Sequence, residues 1–280
     1  MYVMLSDNAD NYAYLFKRGV YKTPGLDVRA FKVYADGALG SWGACLLKPY
    51  SDQKNKQGFL LSSQKHFEDI ATKLAAKGFQ MCTHAIGDSA NRVMLKIYAS
   101  VLKGKNDRRW RIEHAQVISP DDIKDFGDYN IIPSVQPTHA TSDMYWAGTR
   151  LGKKRLKSAY VYKQLLEQNG WLPLGTDFPV ENINPIYTFY AAVERKDLKE
   201  YPKGGFQPEN ALSREEALRG MTIWAAKANF EEKEKGSIEP GKYADFVILD
   251  NDIMKIKGAA LPKVKVLKTF INGEKVYEKK

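Results

Sequence analysis

The sequence predicts an α/β fold that contains part of a βα barrel followed by a small β-domain. Three short apolar runs each end in a polar residue and are followed by a helical pattern, which is the repeating unit of such a barrel. From residue 236 onward the pattern changes to short strands without helices between them. We therefore predict two regions, 1–235 and 236–280. The three runs are 79–82, 110–112 and 171–174, and the polar residues that follow them are His84, His114 and Asp177.

The first third of the chain predicts a helix, a strand and a second helix. A helix over 10–18 is closed by Gly19, because glycine readily adopts the left-handed backbone of a helix end. The alternating run 28–34 predicts a strand that leads into a glycine-rich loop reaching about Gly58. Apolar residues recur at helical spacing over 64–77, which predicts the second helix.

The middle of the chain repeats strand and helix. Asp88 is predicted to be an N-cap, since aspartate side chains accept the free N–H groups of a first turn. The predicted order is strand 79–84, helix 88–102, strand 109–114, a helix opened by 119–122, strand 131–136, a long loop holding Trp146, helix 158–168 and a strand running to Asp177.

Two further helices and a hairpin complete the prediction. The helices cover 185–195 and 214–229, and Ser213 with Glu216 forms a capping box at the second. Short strands follow, and Asn272-Gly273 predicts a tight turn between the last two. The pattern supplies five barrel-type strands, whereas a closed (β/α)₈ barrel needs eight. We therefore expect this chain to form about the last five βα units of a longer barrel.

Composition narrows the function classes. The formal net charge is +10, but the basic residues are scattered apart from 153–155 and 279–280, so we do not predict nucleic-acid binding. No run of 18 apolar residues predicts a membrane span, and no secretion signal is evident. The two cysteines, Cys45 and Cys82, lie in apolar surroundings and indicate a reducing compartment or an inert pair of core thiols, not a disulfide framework. We expect a cytoplasmic protein without a membrane partner.

The polar strand ends predict a metal site. In a βα barrel the carboxyl ends of the strands meet at one mouth, so His84, His114 and Asp177 are expected to face one another. Two imidazoles and a carboxylate are typical of a zinc-type site. His139, after the fourth strand, could contact a substrate carbonyl or oxyanion, or be a structural loop residue. Trp146 is expected to overhang the mouth and line a substrate pocket, although a packing role fits equally.

Five ordered motifs carry a resemblance to a known family. They resemble those of the amidohydrolase superfamily, in particular its YtcJ-like group, which includes N-substituted formamide deformylases. The motifs are Lys32-x-x-x-Asp36-Gly37-Ala38-Leu39-Gly40-Ser41, Thr83-His84-Ala85-Ile86-Gly87-Asp88, Arg111-Ile112-Glu113-His114-Ala115, Gly175-Thr176-Asp177-Phe178-Pro179-Val180 and Lys235-Gly236-Ser237-Ile238-Glu239-Pro240-Gly241.

The resemblance implies a metal-dependent hydrolase with a distorted TIM-type barrel and a β-sandwich assembled from both chain ends. Lys32 falls where the family places a lysine that can be carboxylated to bridge two metals. His84 and His114 match metal ligands, and Asp177 matches a ligand that is also the general acid and base. The implied cofactor is Zn²⁺ or another divalent metal, as one or two ions. The implied substrate is a small molecule with an amide or related C–N bond.

The sequence also departs from the family pattern. The four histidines are never two residues apart, so the family's first-strand His-x-His pair has no counterpart in these 280 residues. An alternative therefore stays open, in which the chain is a truncated, non-catalytic or regulatory relative. An open barrel edge would also expose apolar surface, from which we expect possible self-association into a homo-oligomer.

Overall fold

A computed structural model describes residues 1–280. The chain forms two compact units. The first unit comprises residues 1–134 and 145–170, and the second comprises residues 135–144 and 171–280. No helix of the chain combines the length and the apolar character that crossing a bilayer requires.

Nine strands form two sheets. They are β1 (Tyr2–Ser6), β2 (Tyr21–Thr23), β3 (Leu26–Tyr34), β4 (Gln80–Ala85), β5 (Arg111–His114), β6 (Ile132–Ser134), β7 (Phe246–Leu249), β8 (Val266–Ile271) and β9 (Glu274–Glu278).

Ten α-helices connect or follow these strands. They are α1 (Ala9–Arg18), α2 (Gln64–Lys77), α3 (Asp88–Leu102), α4 (Lys124–Asp128), α5 (Pro137–Asp143), α6 (Ala147–Leu156), α7 (Tyr162–Asn169), α8 (Pro185–Glu194), α9 (Arg214–Met221) and α10 (Ile223–Ala228).

The first unit is built on a six-stranded sheet. β1, β3, β4, β5 and β6 are neighbours in this order and run parallel, while β2 pairs antiparallel with β3. Every residue of β5 is buried, as expected of a parallel sheet whose two faces are both covered. Phe16, Phe31 and Phe79 contact one another in the core of this unit, with ring centroids 5.6–6.0 Å apart. The predicted α/β class and parallel barrel-type sheet are thus confirmed.

The second unit holds α5, α8, α9, α10 and the antiparallel sheet β7-β8-β9. Asn272 and Gly273 both have positive φ, 51° and 81°, at the turn between β8 and β9, so the predicted hairpin is confirmed. The capping box of Ser213 and Glu216 is also present. The three C-terminal strands form a sheet of their own, whereas the domain boundary at 235 and 236 stays a prediction.

Several predicted boundaries were wrong. Asp88 is not an N-cap: Gly87 takes that position, and the Asp88 carboxylate instead accepts the Leu47 N–H at 2.8 Å. The predicted loop around Trp146 is largely helix α6, in which Gly152 interrupts the helical backbone with φ of 74°. The glycines of this segment favour a loop, but Gly148, the first of them, lies within regular helix.

Three other elements differ in extent. The helix predicted over 158–168 begins only at Tyr162. The helix predicted over 214–229 is divided at Thr222, where φ and ψ are −123° and −96°. The strand predicted over 171–174 is reduced to a single parallel bridge between Val135 and Leu174. β1 was not predicted at all, because its five residues make a run too short to be distinguished by alternation alone.

Candidate functional site

The ends of β3 and β4 place two of the predicted site residues on one face of the sheet of the first unit. Lys32 pairs with Cys82, and Tyr34 pairs with His84. Because side chains alternate along a strand, the side chains of Lys32 and His84 leave the sheet on the same side. Register therefore explains why residues 52 positions apart in the sequence can belong to one cluster.

His84 and His114 lie side by side within the first unit. Their ring centroids are 4.6 Å apart, and the ring planes make an angle of 72°. His114 is 8% exposed, and the His84 side chain is 13% exposed. Zinc and other divalent transition metals are commonly bound by imidazole nitrogens, and two imidazoles this close together can supply two such ligands.

The backbone at the end of β5 is unusual. The register pairs His84 with Glu113. In a regular strand, the side chain of Glu113 would therefore lie on the same face of the sheet as His84, and the side chain of His114 would lie on the opposite face. The strand ends at His114, whose φ is 74°, and Ala115 follows with φ of 42°. Left-handed backbone at non-glycine residues is costly and is often found at functional sites.

Asp36 joins the glycine-rich loop to the segment that follows β4. It is 1% exposed, and its carboxylate accepts the backbone N–H groups of Cys45, Ile86 and Gly87 at 2.8, 3.0 and 2.8 Å. Its Oδ1 also lies 3.6 Å from His84 Nε2. Burial raises the pKa of Asp36 to about 7, although the three backbone hydrogen bonds act in the opposite direction. Asp36 therefore fixes the backbone directly after β4 and places a carboxylate beside the His84 imidazole.

The Lys32 side chain makes neither a hydrogen bond nor an ion pair. Its Nζ lies 5.1 Å from the centroid of the Tyr34 ring. Lys32 does not pair with Asp36, whose carboxylate accepts backbone amides and lies near His84. The role of Lys32 as a carboxylated bridging ligand stays a prediction.

Arg111 and Glu113 form a buried ion pair that sequence reasoning did not identify. Arg111 Nε lies 2.9 Å from Glu113 Oε1, and both side chains are less than 10% exposed. Burial would lower the pKa of Arg111, but the neighbouring Cys82 and Glu113 raise it above its usual value. The two charges sit on β5, directly before His114. The alternating Arg-x-Glu pattern was the only sequence signal for them.

The second unit contains a polar cluster around His139. His139 lies in the first turn of α5, which begins at Pro137. His139 Nε2 is 3.0 Å from Asp177 Oδ2, and His139 Nδ1 is 3.3 Å from Glu181 Oε1. Ser142 Oγ donates a hydrogen bond to the same Glu181 oxygen at 2.6 Å. The imidazole is thus enclosed by two carboxylates.

This environment sets the charge of the imidazole. Burial would lower the pKa of His139, but its hydrogen bonds to Asp177 and Glu181 raise it to about 9. Burial would raise the pKa of Glu181, but its hydrogen bond with His139 lowers it below its usual value. At neutral pH His139 is therefore a cation between two anions. His139 is not a loop residue, since it lies on α5, and its side chain is only 12% exposed.

Asp177 and Glu181 lie on one tight turn. Asp177 has φ of 60°, and the Asp177 carbonyl accepts the N–H groups of Val180 and Glu181 at 2.8 and 3.4 Å. The turn therefore directs both carboxylates to His139. Glu181 was not predicted as a site residue, although its position four residues after Asp177 would have been a usable signal.

A small cavity lies next to this cluster, inside the second unit. Its volume is about 190 Å³, and Ser142 and Glu181 are among its lining residues. This volume is below that of a typical site for a drug-sized ligand and suits a small group. Its other lining residues are Thr138, Thr141, Asn182, Tyr187, Tyr190, Ala191, Lys196, Asp197 and Leu198.

Trp146 packs within the first unit. A Cβ at Gly40 would lie 3.3 Å from its ring, and the Arg150 guanidinium lies 6.0 Å from its centroid. Arg150 also stacks on Trp42 at 4.1 Å and forms an ion pair with Asp52. These contacts give Trp146 a packing role, and its predicted role in substrate binding stays a prediction.

The chain matches the model described as "Amidohydrolase family" over residues 3–277. Among curated proteins it is 35% identical to LONG AFTER FAR-RED 3 of Arabidopsis thaliana, covering 93% of this chain and 45% of that protein. It is 34% identical to YtcJ of Bacillus subtilis (strain 168), covering 91% of this chain and 48% of that protein. It is 27% identical to the N-substituted formamide deformylase of Arthrobacter pascens, covering 89% of this chain and 46% of that protein.

Solved structures give the same result. A crystal structure described as an uncharacterized metal-dependent hydrolase from Pyrococcus horikoshii OT3 aligns with a TM-score of 0.81 and 30% identity, covering 92% of this chain and 51% of that one. The chain thus spans about half the length of the relatives it matches. The family match, the parallel sheet and the histidines at its strand ends agree: the chain belongs to the amidohydrolase family, in its YtcJ-like branch.

Proposed function

We propose that the protein is a metal-dependent hydrolase that cleaves an amide or related C–N bond of a small molecule. The observation that carries the proposal is the pair of imidazoles, His84 and His114, at the ends of neighbouring parallel strands with rings 4.6 Å apart. Its support from outside the chain is the family match and the description of the aligned Pyrococcus structure as a metal-dependent hydrolase.

The donor chemistry of these residues fits a divalent metal. In the proposal His84 and His114 hold it through ring nitrogens, Lys32 holds it as a carbamate, and Asp177 holds it through its carboxylate. Zn²⁺ is the metal that imidazole and carboxylate ligands suit best among the common candidates, as one or two ions. When bound, such a metal lowers the pKa of a water to about 7 and polarises the substrate carbonyl.

Protein side chains supply the proton transfers. In the proposal Asp177 accepts a proton from the attacking water on its carboxylate and then donates it to the leaving nitrogen, which is general acid and base catalysis. His139 is positively charged at neutral pH and is proposed to donate a hydrogen bond to the substrate carbonyl oxygen. Trp146 is proposed to contribute apolar surface for the substrate.

A substrate screen tests the proposal. Protein treated with a chelator and then reloaded with Zn²⁺ is offered N-formyl and N-acyl amines, and the released amine is measured. We expect turnover that requires the metal, is abolished in Asp177→Asn and is unchanged in Asp252→Asn, which alters an exposed acid of the same unit. Absence of turnover across the screen would favour the alternative, a truncated or regulatory relative without catalytic activity.

The cellular setting is part of the same proposal. We propose a cytoplasmic protein that acts on a small molecule, without a nucleic-acid or membrane partner, and that associates with further copies of itself. Light scattering of the purified chain tests the last point, since a stable monomer at micromolar concentration would contradict it.

A further inference from the structure

Glu181 binds the nitrogen of His139 that faces away from Asp177. Its Oε1 lies 3.3 Å from His139 Nδ1, while Asp177 Oδ2 lies 3.0 Å from Nε2 on the other side of the ring. The Glu181 side chain is 19% exposed, and the Asp177 side chain is 34% exposed. Glu181 is therefore the better shielded of the two carboxylates, and it has no assigned role in the proposed reaction.

Glu181 is itself held in place. Ser142 Oγ donates to Glu181 Oε1 at 2.6 Å, and Ser142 lies one helical turn after His139 on α5. Residues three apart on a helix share a face, so α5 presents both the imidazole and the hydroxyl to the same carboxylate. The Glu181 N–H also donates to the Asp177 carbonyl, which fixes its distance from Asp177.

These contacts hold the imidazole ring from both sides. An ionised carboxylate can only accept hydrogen bonds, so Nδ1 is the donor in its contact with Glu181 and Nε2 is the donor in its contact with Asp177. What Glu181 sets is therefore the orientation of the ring. A carboxylate behind an active-site imidazole commonly orients it in this way.

We propose that Glu181, supported by Ser142, is a positioning residue that holds the His139 ring through its Nδ1–H and so presents Nε2–H to Asp177 and the substrate. The inference rests on the proposed function, but its first test does not need activity. Removing Glu181 frees the ring to rotate, whereas an acceptor oxygen at the same reach preserves its orientation.

The first test is ¹H–¹⁵N NMR of the histidine rings in the full chain. We expect a protected Nδ1–H of His139 in the wild type, its loss in Glu181→Ala, its weakening in Ser142→Ala and its retention in Glu181→Gln, whose amide oxygen still accepts. Glu215→Ala removes an exposed carboxylate on α9 and should leave the signal unchanged. The rings of His66, His84 and His114 report in each variant whether the chain remains folded.

Two results would overturn the inference. One is an unchanged His139 Nδ1–H signal in a folded Glu181→Ala chain. The other is equal loss in Glu181→Ala and Glu181→Gln, because the glutamine still offers an acceptor. If Glu181→Ala does not fold, Ser142→Ala and Glu181→Gln decide the question by the same signal.

Kinetics of the Zn²⁺-loaded protein give a second test. We expect Glu181→Ala to lower kcat by about 10- to 100-fold with little change in KM, and Glu181→Gln to restore most of the loss. A kcat within twofold of wild type would contradict the inference. A wild-type chain without turnover would count against the proposed function alone, since the NMR result would still stand.

Discussion

Replacing Glu113 by glutamine should destabilise the first unit strongly. The side chain keeps its size but loses its charge, and Arg111 is left as a buried cation without its carboxylate 2.9 Å away. Breaking a buried ion pair in this way costs about 3–5 kcal/mol. Stabilities of whole domains are of order 5–15 kcal/mol, so the loss is a large fraction of what holds β5 and therefore His114 in place.

A matched control lies at the start of the same strand segment. Arg109 pairs with Asp107 at 2.8 Å, but Asp107 is 77% exposed. Solvent screens such a pair, and Asp107→Asn should cost about 0–1 kcal/mol. The double variant Arg111→Met with Glu113→Leu should recover most of the loss, since an apolar pair of similar volume avoids the desolvation of both charges.

Hydrogen exchange measured by mass spectrometry is the suitable assay. Peptides that cover β5 report the opening free energy of this unit without requiring that the whole chain unfold in one step. The reasoning is refuted if Glu113→Gln lies within about 1 kcal/mol of Asp107→Asn, or if the double variant is less stable than the single one.

Three further predictions follow from individual contacts. The pKa of His139, raised from 6.5 to about 9, corresponds to about 3 kcal/mol of stability, which is fully present below pH 6.5 and is lost as pH rises through 9. Urea unfolding of the metal-free wild type should show this loss of unfolding free energy between pH 6.5 and 9. The His139→Ala variant should not show it. Ser213→Ala removes a capping-box acceptor and should lower the unfolding free energy of the second unit by about 1 kcal/mol, as read from the urea midpoint. Gly87→Ala places a Cβ 2.0 Å from the Cys45 carbonyl oxygen and should lower the melting temperature by several degrees, whereas Gly25→Ala meets no atom within 4 Å and should not.

Local patterns were sufficient for some of the regular elements. Apolar spacing closed by Gly78 predicted α2 with the bounds that the structure has, and the pair Asn272-Gly273 predicted the C-terminal hairpin. These signals depend on neighbouring residues only. The Asp88 cap failed because a contact from far along the chain intervenes: the Leu47 N–H takes the carboxylate, and the backbone approaches Gly87 so closely that no side chain fits there.

The site could be predicted only in part, for the same reason. The rule that polar residues follow the strands of a βα barrel identified His84 and His114, and their rings do lie together. The carboxylates that contact His84 and His139 were not identified from the sequence. Asp36 approaches His84 through a loop, and Glu181 reaches His139 from 42 residues away, so neither contact leaves a periodic trace in the sequence.

The central claim is that His84 and His114 hold a metal, and metal content tests it most directly. The purified 280-residue chain is incubated with Zn²⁺, freed of excess metal and measured by plasma mass spectrometry, beside a His84→Ala and His114→Ala double variant. His66→Ala is the control, because His66 contacts Asp7 at 2.8 Å. We predict at least one zinc per chain in the wild type and the control, and none in the double variant. No zinc in the wild type, or equal zinc in the double variant, would contradict the claim.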